Sequence, residues 1–451
     1  MPFTLIITEK PQAAEKIASA LSEGPVRKKG KGGAYWLEFE RNGKLHVCVP
    51  AVGHLYVLNT KKGDGWSYPI FDIDWVPTYT RKGTEYTKKY LKNIEDLQDG
   101  ADEFIVATDF DVEGEVIGYN ILKFACKKDD AKRMKFSTLT KSDLEESYNN
   151  LLPHLELGQA EAGLTRHYLD FYWGINTTRA LTLSMKGHLK NGFVVVSSGR
   201  VQSPTLKILA DREIEIRGFK AVPYWQLMLK CVHEKEELIA FYEEDKIWEK
   251  GKAERIKTEC QGKDATVKDV EQKKYKQMPP FPLDPTTLQT EAYNNFKFSL
   301  KQTMSIAESL YNAGLISYPR TSSQEYPAKI GFDKILSKLS ANPKFSADCK
   351  QLLSKGNLSP TKGSKTDPAH PAIYPTGEIP RGLNPSQERM YEMIARRFLA
   401  VFGDDAIRET MKVVLDVNKH NFIITGKRTV ELGWTKFYQK FIRFEEQILP
   451  D

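Results

Sequence analysis

The stretch ADEFIVATDFDVEGE, residues 101–115, constrains the fold of this 451-residue chain more than any other. An apolar run, Phe104-Ile105-Val106-Ala107, leads directly into Asp109, Asp111, Glu113 and Glu115. Carboxylates at alternating positions repel one another and raise each other's pKa, so they need positive partners. A short β-rich run, a polar loop and then a helix form the repeating half of an α/β domain. The same plan opens the chain. Phe3-Thr4-Leu5-Ile6-Ile7 runs into Thr8-Glu9-Lys10-Pro11, and Pro11 suits the first turn of a helix. Ala14, Ile17, Ala18 and Leu21 then follow helical spacing. A third unit starts at Lys132-Arg133-Met134-Lys135-Phe136 and leads to Ser142-Asp143-Leu144-Glu145, whose spacing predicts a capping box. In a parallel sheet, Glu9 and Lys10 would open on the same edge as the acidic loop. Asp-x-Asp-x-Glu offers the oxygen ligands that a hard cation such as Mg²⁺ prefers. Mg²⁺ and Lys10 are therefore the expected partners of the carboxylates.

Charge and cysteine usage narrow the class. The formal charge of +7 tilts the chain toward a polyanionic partner without dictating one. The five cysteines are scattered with no Cys-x-x-Cys pair, so neither a disulfide framework nor a zinc finger is expected. No apolar run reaches the length of about 18 residues that a membrane helix needs. MPFTLIITEK lacks the basic flank and cleavage site of a signal peptide, and a cytoplasmic, nucleoid-associated protein is expected.

Beyond the first units, Arg27–Gly33 reads as a basic, glycine-rich hairpin loop. Residues 160–215 read as helical, broken at Val194–Gly199, and residues 222–272 as strand-rich. Pro279-Pro280-Phe281-Pro282 marks a boundary, because consecutive prolines continue neither a helix nor a central strand. Residues 287–312 return to helix, 354–367 form a polar loop, and 412–417 and 422–425 are strands. A helical block between two strand-rich ones implies a helical domain inserted in a β domain. There is no internal repeat.

Further constellations carry chemistry. In GLISYPRTSS, residues 314–323, Gly314 would cap a helix and lead into a strand presenting Tyr318. A phenol needs proton removal and nearby positive charge to act as a nucleophile. Arg320, two residues on, is permanently charged. His370 lies in AHPAIYPT, residues 369–376. SGRVQSPTL places Arg200 and Gln202 on one side of a turn, and Arg166 and Asp170 stand one helical turn apart.

Taken in order, TEKP, DFDVEGE, RHYLDFYWG, TRAL, SSGRVQSPTL, PLDPTTLQTEA, LYNAGLISYPRTSS and AHPAIYPT resemble the type IA DNA topoisomerases, most closely their archaeal and topoisomerase III-like members. The resemblance implies a multidomain α/β plus α+β fold. A Toprim domain would span 1–150, and part of a helical gate domain that binds single-stranded DNA 151–217. A β-rich arch would comprise 218–275 and 398–451, with an inserted helical, winged-helix-like domain carrying the catalytic tyrosine at 276–397. It implies attack by Tyr318 on a phosphodiester of single-stranded DNA, giving a 5′-phosphotyrosine, then strand passage and resealing without ATP. Arg320, Lys10 and His370 would neutralise phosphate charge, and Glu9 would carry a proton to the leaving oxygen. Glu9, Asp109, Asp111 and Glu113 would hold Mg²⁺. Arg166, Asp170, Arg200, Gln202, Thr321 and Ser322 would contact DNA.

Two departures accompany the resemblance. Val112 stands where many bacterial members carry arginine, and the sequence stops at Asp451, before the arch and groove would be complete. The expectation that follows is an open ring needing a second chain, or a helicase partner as in a reverse gyrase half. The alternative reading is a DNA-binding and cleaving subunit that does not turn over alone.

Overall fold

The computed structural model describes residues 2–61, 65–186, 194–234, 236–442, 444 and 446–450. The chain divides into two compact units, one of Met1–Arg217, Met304–Ser322 and Asp367–Glu378, the other of Gly218–Thr303, Ser323–Thr366 and Ile379–Asp451.

The first unit is organised by a six-stranded sheet. In chain order its elements are β1 (Phe3–Thr8), α1 (Pro11–Leu21), β2 (Arg27–Lys31), β3 (Ala34–Arg41), β4 (Lys44–Pro50), the β5–β6 hairpin (Tyr56–Thr60, Ile73–Pro77), α2 (Lys88–Gln98), β7 (Ala101–Ala107), α3 (Val112–Asn120), β8 (Lys132–Arg133), α4 (Lys141–Asn149), α5 (Leu157–Lys186) and α6 (Gln202–Gly218). The sheet order is β2-β3-β4-β1-β7-β8. β1 runs parallel to β4 and β7, and β7 parallel to β8, while β2 and β3 form an antiparallel margin. Helices α1 and α2 pack on the sheet, and Leu5, Ile6 and Ile7 are all fully buried. Burial on both faces explains why β1 reads as an unbroken apolar run. Leu5, Ile7, Val47, Val49 and Val106 join Leu91, Ile94, Ile117 and Ile121 in one core.

Two local expectations need correction. Arg27–Lys31 is an edge strand, not a loop, because its backbone pairs residue by residue with Ala34–Glu38. Helix α4 is capped by Thr140, whose hydroxyl accepts from the Asp143 amide, so Ser142 lies inside the helix. The Asp143 carboxylate reaches back to the amides of Ser137 and Thr138.

In the second unit, β9 (Met228–His233), β10 (Glu236–Tyr242), α7 (Lys250–Cys260) and β11 (Thr266–Gln277) precede a helical block. That block holds α8 (Pro285–Phe296), α9 (Leu300–Asn312, shared with the first unit), α10 (Phe332–Leu339), α11 (Ser346–Leu353) and α12 (Pro385–Ala400). β12 (Ala406–Val417) and β13 (His420–Glu431) then complete an antiparallel sheet of order β11-β12-β13-β10-β9. The helices are inserted between β11 and β12, which pair directly with each other. Helix α7 interrupts a stretch read as strand-rich, and it buries Ala253, Ile256 and Cys260. No described helix is long and apolar enough to cross a membrane.

Candidate active site

The site forms where β1 and β7, neighbours in the parallel sheet, reach their C-terminal ends. The acidic loop is the N-terminus of α3. Asp111 is its N-cap, accepting from the Gly114 amide at 2.7 Å, and Glu113 and Glu115 occupy the first turn. Unpaired amides and the helix dipole favour anions there, by about 0.3–1 kcal/mol each. Gly114 is required at this point, since a Cβ would lie 2.0 Å from the Asp109 carbonyl oxygen.

The carboxylates divide among three sets of cationic or imidazole partners. Lys10 Nζ lies 2.9 Å from Asp109 Oδ2 and 3.2 Å from Glu9 Oε1. Burial opposes the charge on Lys10, but Asp109 and Glu9 hold it protonated above the usual lysine range. Burial, then the neighbouring Asp109, pushes the Glu9 carboxyl up to about 7. Glu115 is buried against the fully buried Arg133, whose Nε donates at 2.8 Å. The same guanidinium donates to the carbonyls of Thr108, Asp109 and Met134, each at 2.8 Å, and so fixes the loop from beneath. Glu113 turns elsewhere. Its Oε2 accepts from His54 Nε2 and His167 Nε2, both at 3.0 Å, and Arg166 stands 3.3 Å from Oε1. Hydrogen bonds from His167 and His54 hold its carboxyl far below the usual range.

Tyr318 reaches this loop from α9. The chain leaves the helix through Gly314, at φ +80°, with the Leu315 amide bonded to the Leu310 carbonyl at 3.0 Å. The next residues run extended without joining a sheet. The Ser317 amide donates to the Tyr374 carbonyl at 2.9 Å, and the Tyr318 amide to the Ser137 carbonyl at 2.8 Å. The Tyr318 hydroxyl donates to Asp111 Oδ2 at 2.5 Å. Burial and the adjacent Asp109 and Asp111 raise its pKa strongly, with Arg320 opposing. Tyr311, buried beneath, donates to Asp109 Oδ1 at 3.2 Å and packs edge-on to the Tyr318 ring.

The remaining expected residues fall into two groups. His370 is buried 4.6 Å from the Tyr318 ring, between centroids. Its Nε2 donates to the Phe110 carbonyl at 3.0 Å, Nδ1 lies 3.0 Å from Ser137 Oγ, and burial lowers its pKa. The ring thus packs against Tyr318 while both of its nitrogens are engaged by other partners. Arg320 is ion-paired with Glu308, Nε to Oε1 being 3.0 Å. Thr321 is buried and its hydroxyl donates to the His370 carbonyl. Ser322 donates through its amide and hydroxyl to Asp367, leaving its hydroxyl engaged within the fold. Away from the tyrosine, Arg200 grips Asp170 through two bonds of 2.6 and 3.1 Å, Arg166 stands 3.8 Å from Asp170, and Gln202 bonds Ser197. Val112 contacts the place where Gly163 of α5 lies flush with α3; a Cβ on Gly163 would sit 2.9 Å from Val112 Cγ1.

Arg133, Tyr311, His54 and His167 were not singled out from sequence. Tyr311 and His167 sit unremarked inside LYNAGLISYPRTSS and RHYLDFYWG, Arg133 lies in a run read only as the start of a third unit, and His54 lies in no quoted motif.

Comparison with known proteins identifies the family. The family profile described as DNA topoisomerase matches residues 155–451, and the Toprim domain profile matches residues 4–139. The chain belongs to the type IA DNA topoisomerase family. This topoisomerase-family chain is 50% identical over 454 residues to DNA topoisomerase 1 of Pyrococcus horikoshii, covering 99% of itself and 66% of that protein. It is 42% identical to DNA topoisomerase 1 of Methanothermobacter thermautotrophicus over 453 residues, covering 99% of itself and 61% of the relative. It thus spans about two thirds of the length of these archaeal topoisomerases. The solved topoisomerase I of Thermotoga maritima shares the fold, with a TM-score of 0.72 at 24% identity over 99% of this chain and 69% of that one.

Proposed function

We propose that this chain cleaves and rejoins single-stranded DNA through a phosphotyrosine at Tyr318, the chemistry of a type IA topoisomerase acting without ATP. The observation that carries the reading is the 2.5 Å hydrogen bond from the Tyr318 hydroxyl to Asp111 Oδ2, beside Lys10, Glu9 and Asp109. A nucleophile within hydrogen-bond reach of its base, with an acid alongside, is the arrangement that transesterification needs.

In the forward step the Tyr318 oxygen attacks the phosphorus and its proton passes to Asp111. The bond from phosphorus to the 3′-oxygen breaks. Glu9, which keeps its proton up to about pH 7, delivers that proton to the leaving oxygen. One phosphodiester replaces another, so resealing runs the same path backwards. Lys10 and Arg320 lie beside the carboxylates and the phenol, where they favour the negative charge that builds on the phosphate.

The carboxylates suit Mg²⁺ by their donor chemistry. Glu9, Asp109 and Asp111 are hard oxygen ligands gathered at one sheet edge, with Lys10 as the cation between Glu9 and Asp109. Asp109 and Asp111 would hold it, with the protonated Glu9 beside them, and when bound it would supply further neutralisation of the phosphate. Glu113, expected with them, lies instead against His54 and His167. Arg200, Arg166, Asp170 and Gln202 on α5 and α6 are proposed to meet the DNA backbone, with binding that weakens steeply in salt.

The experiment is incubation of this chain with negatively supercoiled plasmid and with single-stranded oligonucleotide, each with and without Mg²⁺. Oligonucleotide cleavage that leaves protein bound to DNA after denaturation is expected. Cleavage without plasmid relaxation would favour the alternative, a cleaving subunit without turnover. Absence of any covalent complex would overturn the proposal.

A further inference from the structure

The acidic loop sends one of its carboxylates into a second cluster that the cleavage chemistry does not use. Glu113 Oε2 lies 3.0 Å from both His54 Nε2 and His167 Nε2. Among the described residues these three form the one group of at least three His, Cys, Asp or Glu whose donor atoms all lie within 4.8 Å of one another. Glu9, Asp109 and Asp111 do not meet that condition. Glu113 Oε1 is buried without a hydrogen bond, Arg166 standing at 3.3 Å without bonding geometry.

The three side chains come from separate elements and are held from behind. His54 follows Val52 and Gly53, both at positive φ of 59° and 90°. A β-branched residue in that region is a strained outlier, maintained only where its surroundings impose it. The imposing bonds are visible. The Ala51 and Gly53 amides donate to the carbonyls of Thr8 and Glu9 at 2.7 and 3.0 Å, and Thr78 donates to the His54 carbonyl at 2.7 Å. His167 is set by α5, with its ring edge-on to His54 at 5.1 Å and to Trp75 at 5.6 Å. Glu113 is fixed by the first turn of α3. Ligands from three rigid elements make a prepared site in which little ordering remains to be done on binding.

We propose that His54, His167 and Glu113 bind a divalent transition ion, of which Zn²⁺ is the representative, at a site separate from the Mg²⁺ carboxylates. Two imidazoles and one carboxylate match three-ligand zinc sites that keep an open fourth position, and they discriminate against Mg²⁺, which takes oxygen. Ligand atoms about 2.0–2.2 Å from a tetrahedral ion stand about 3.3–3.5 Å apart, so both 3.0 Å contacts would open slightly. Each imidazole carries its proton on Nδ1 instead of Nε2, which frees the Nε2 lone pair for the ion, and Arg166 gives up Glu113 for Asp170, already 3.8 Å away. The ion would tie the β4–β5 loop, α3 and α5 together and withdraw Glu113 from the acidic set.

The test is titration of the metal-stripped 451-residue chain with Zn²⁺ by calorimetry and with Co²⁺ by visible absorption, with Mg²⁺ present throughout. Binding of one ion, with a Co²⁺ spectrum of imidazole and oxygen ligation, is expected. Loss of an outer partner alone costs about 10–100-fold in metal affinity, so His167→Ala and His54→Gln should each lose at least that. His167→Ala, on a helix surface, retains the fold by circular dichroism. His154→Ala and His420→Ala, at imidazole–carboxylate pairs elsewhere, should bind as the parent does. No binding of Zn²⁺ or Co²⁺, thiolate ligation in the Co²⁺ spectrum, or unchanged affinity in His167→Ala would overturn the proposal. Nothing in this test depends on DNA cleavage, so its failure leaves the cleavage reading standing.

Discussion

Replacing Glu9 by glutamine should stabilise the first unit, and the gain should depend on pH. The Glu9 carboxyl is buried beside Asp109 and titrates at about 7 in place of its ordinary 4.5. Between those values the folded chain holds a proton that the unfolded chain has released. Stability therefore falls as pH rises through this window and stays reduced above it. Each factor of ten in proton affinity is worth about 1.4 kcal/mol, so the full rise corresponds to about 3 kcal/mol. Lys10 is already included in this balance, since its attraction opposes the rise. Glutamine imitates the protonated carboxyl and removes the penalty. Amide hydrogen exchange at Leu5, Ile6 and Ile7 of β1 reports local opening and avoids treating two units as one transition. Near pH 8 these amides should exchange about 100-fold more slowly in Glu9→Gln than in the parent, and near pH 4 at the same rate. A gain that does not vary with pH, or a loss near pH 8, would refute the reasoning. The same variant lacks a transferable proton, so DNA cleavage should fall by about 10²–10⁴.

Gly114→Ala should destabilise by at least about 2–3 kcal/mol in thermal unfolding, because its Cβ meets backbone at 2.0 Å and not a side chain that can yield. Asp111→Asn keeps the cap on α3 and should unfold like the parent, whereas Asp111→Ala should lose about 1 kcal/mol. Arg200→Ala should weaken single-strand binding and make its logarithmic salt dependence shallower by about 0.7, read by fluorescence anisotropy; an unchanged slope would remove Arg200 from the phosphate contacts.

The parts of the fold that were legible in the sequence are those set by short-range patterning. β1 and β7 announce themselves as apolar runs, and Pro11 and Gly314 mark a helix start and a helix end. Patterning misled where backbone pairing or a neighbouring cap decided the outcome. Arg27–Lys31 looks like a loop by composition but pairs with β3, and Thr140 captures the cap that Ser142 was expected to make. The line-up of Tyr318 with Asp111 depends on contacts across 207 positions, so motif spacing could name the residues without showing their contact. Arg133 and His54 were illegible for a firmer reason. Burying Arg133 is tolerable only because carbonyls and Glu115 converge on it, and His54 is aimed by strain at Val52, which no local pattern encodes.

The central claim is that Tyr318 takes the 5′ side of a broken strand. The measurement that addresses it most directly uses single-stranded oligonucleotides labelled at one end or the other, trapped on the protein by denaturant and followed by mass spectrometry of the DNA-linked peptide. The account predicts that the 3′-labelled fragment moves with the protein, that the modified peptide contains Tyr318, and that Tyr318→Phe gives no adduct. An adduct carrying the 5′-labelled fragment, a linkage to any other residue, or a covalent complex formed by Tyr318→Phe would contradict it.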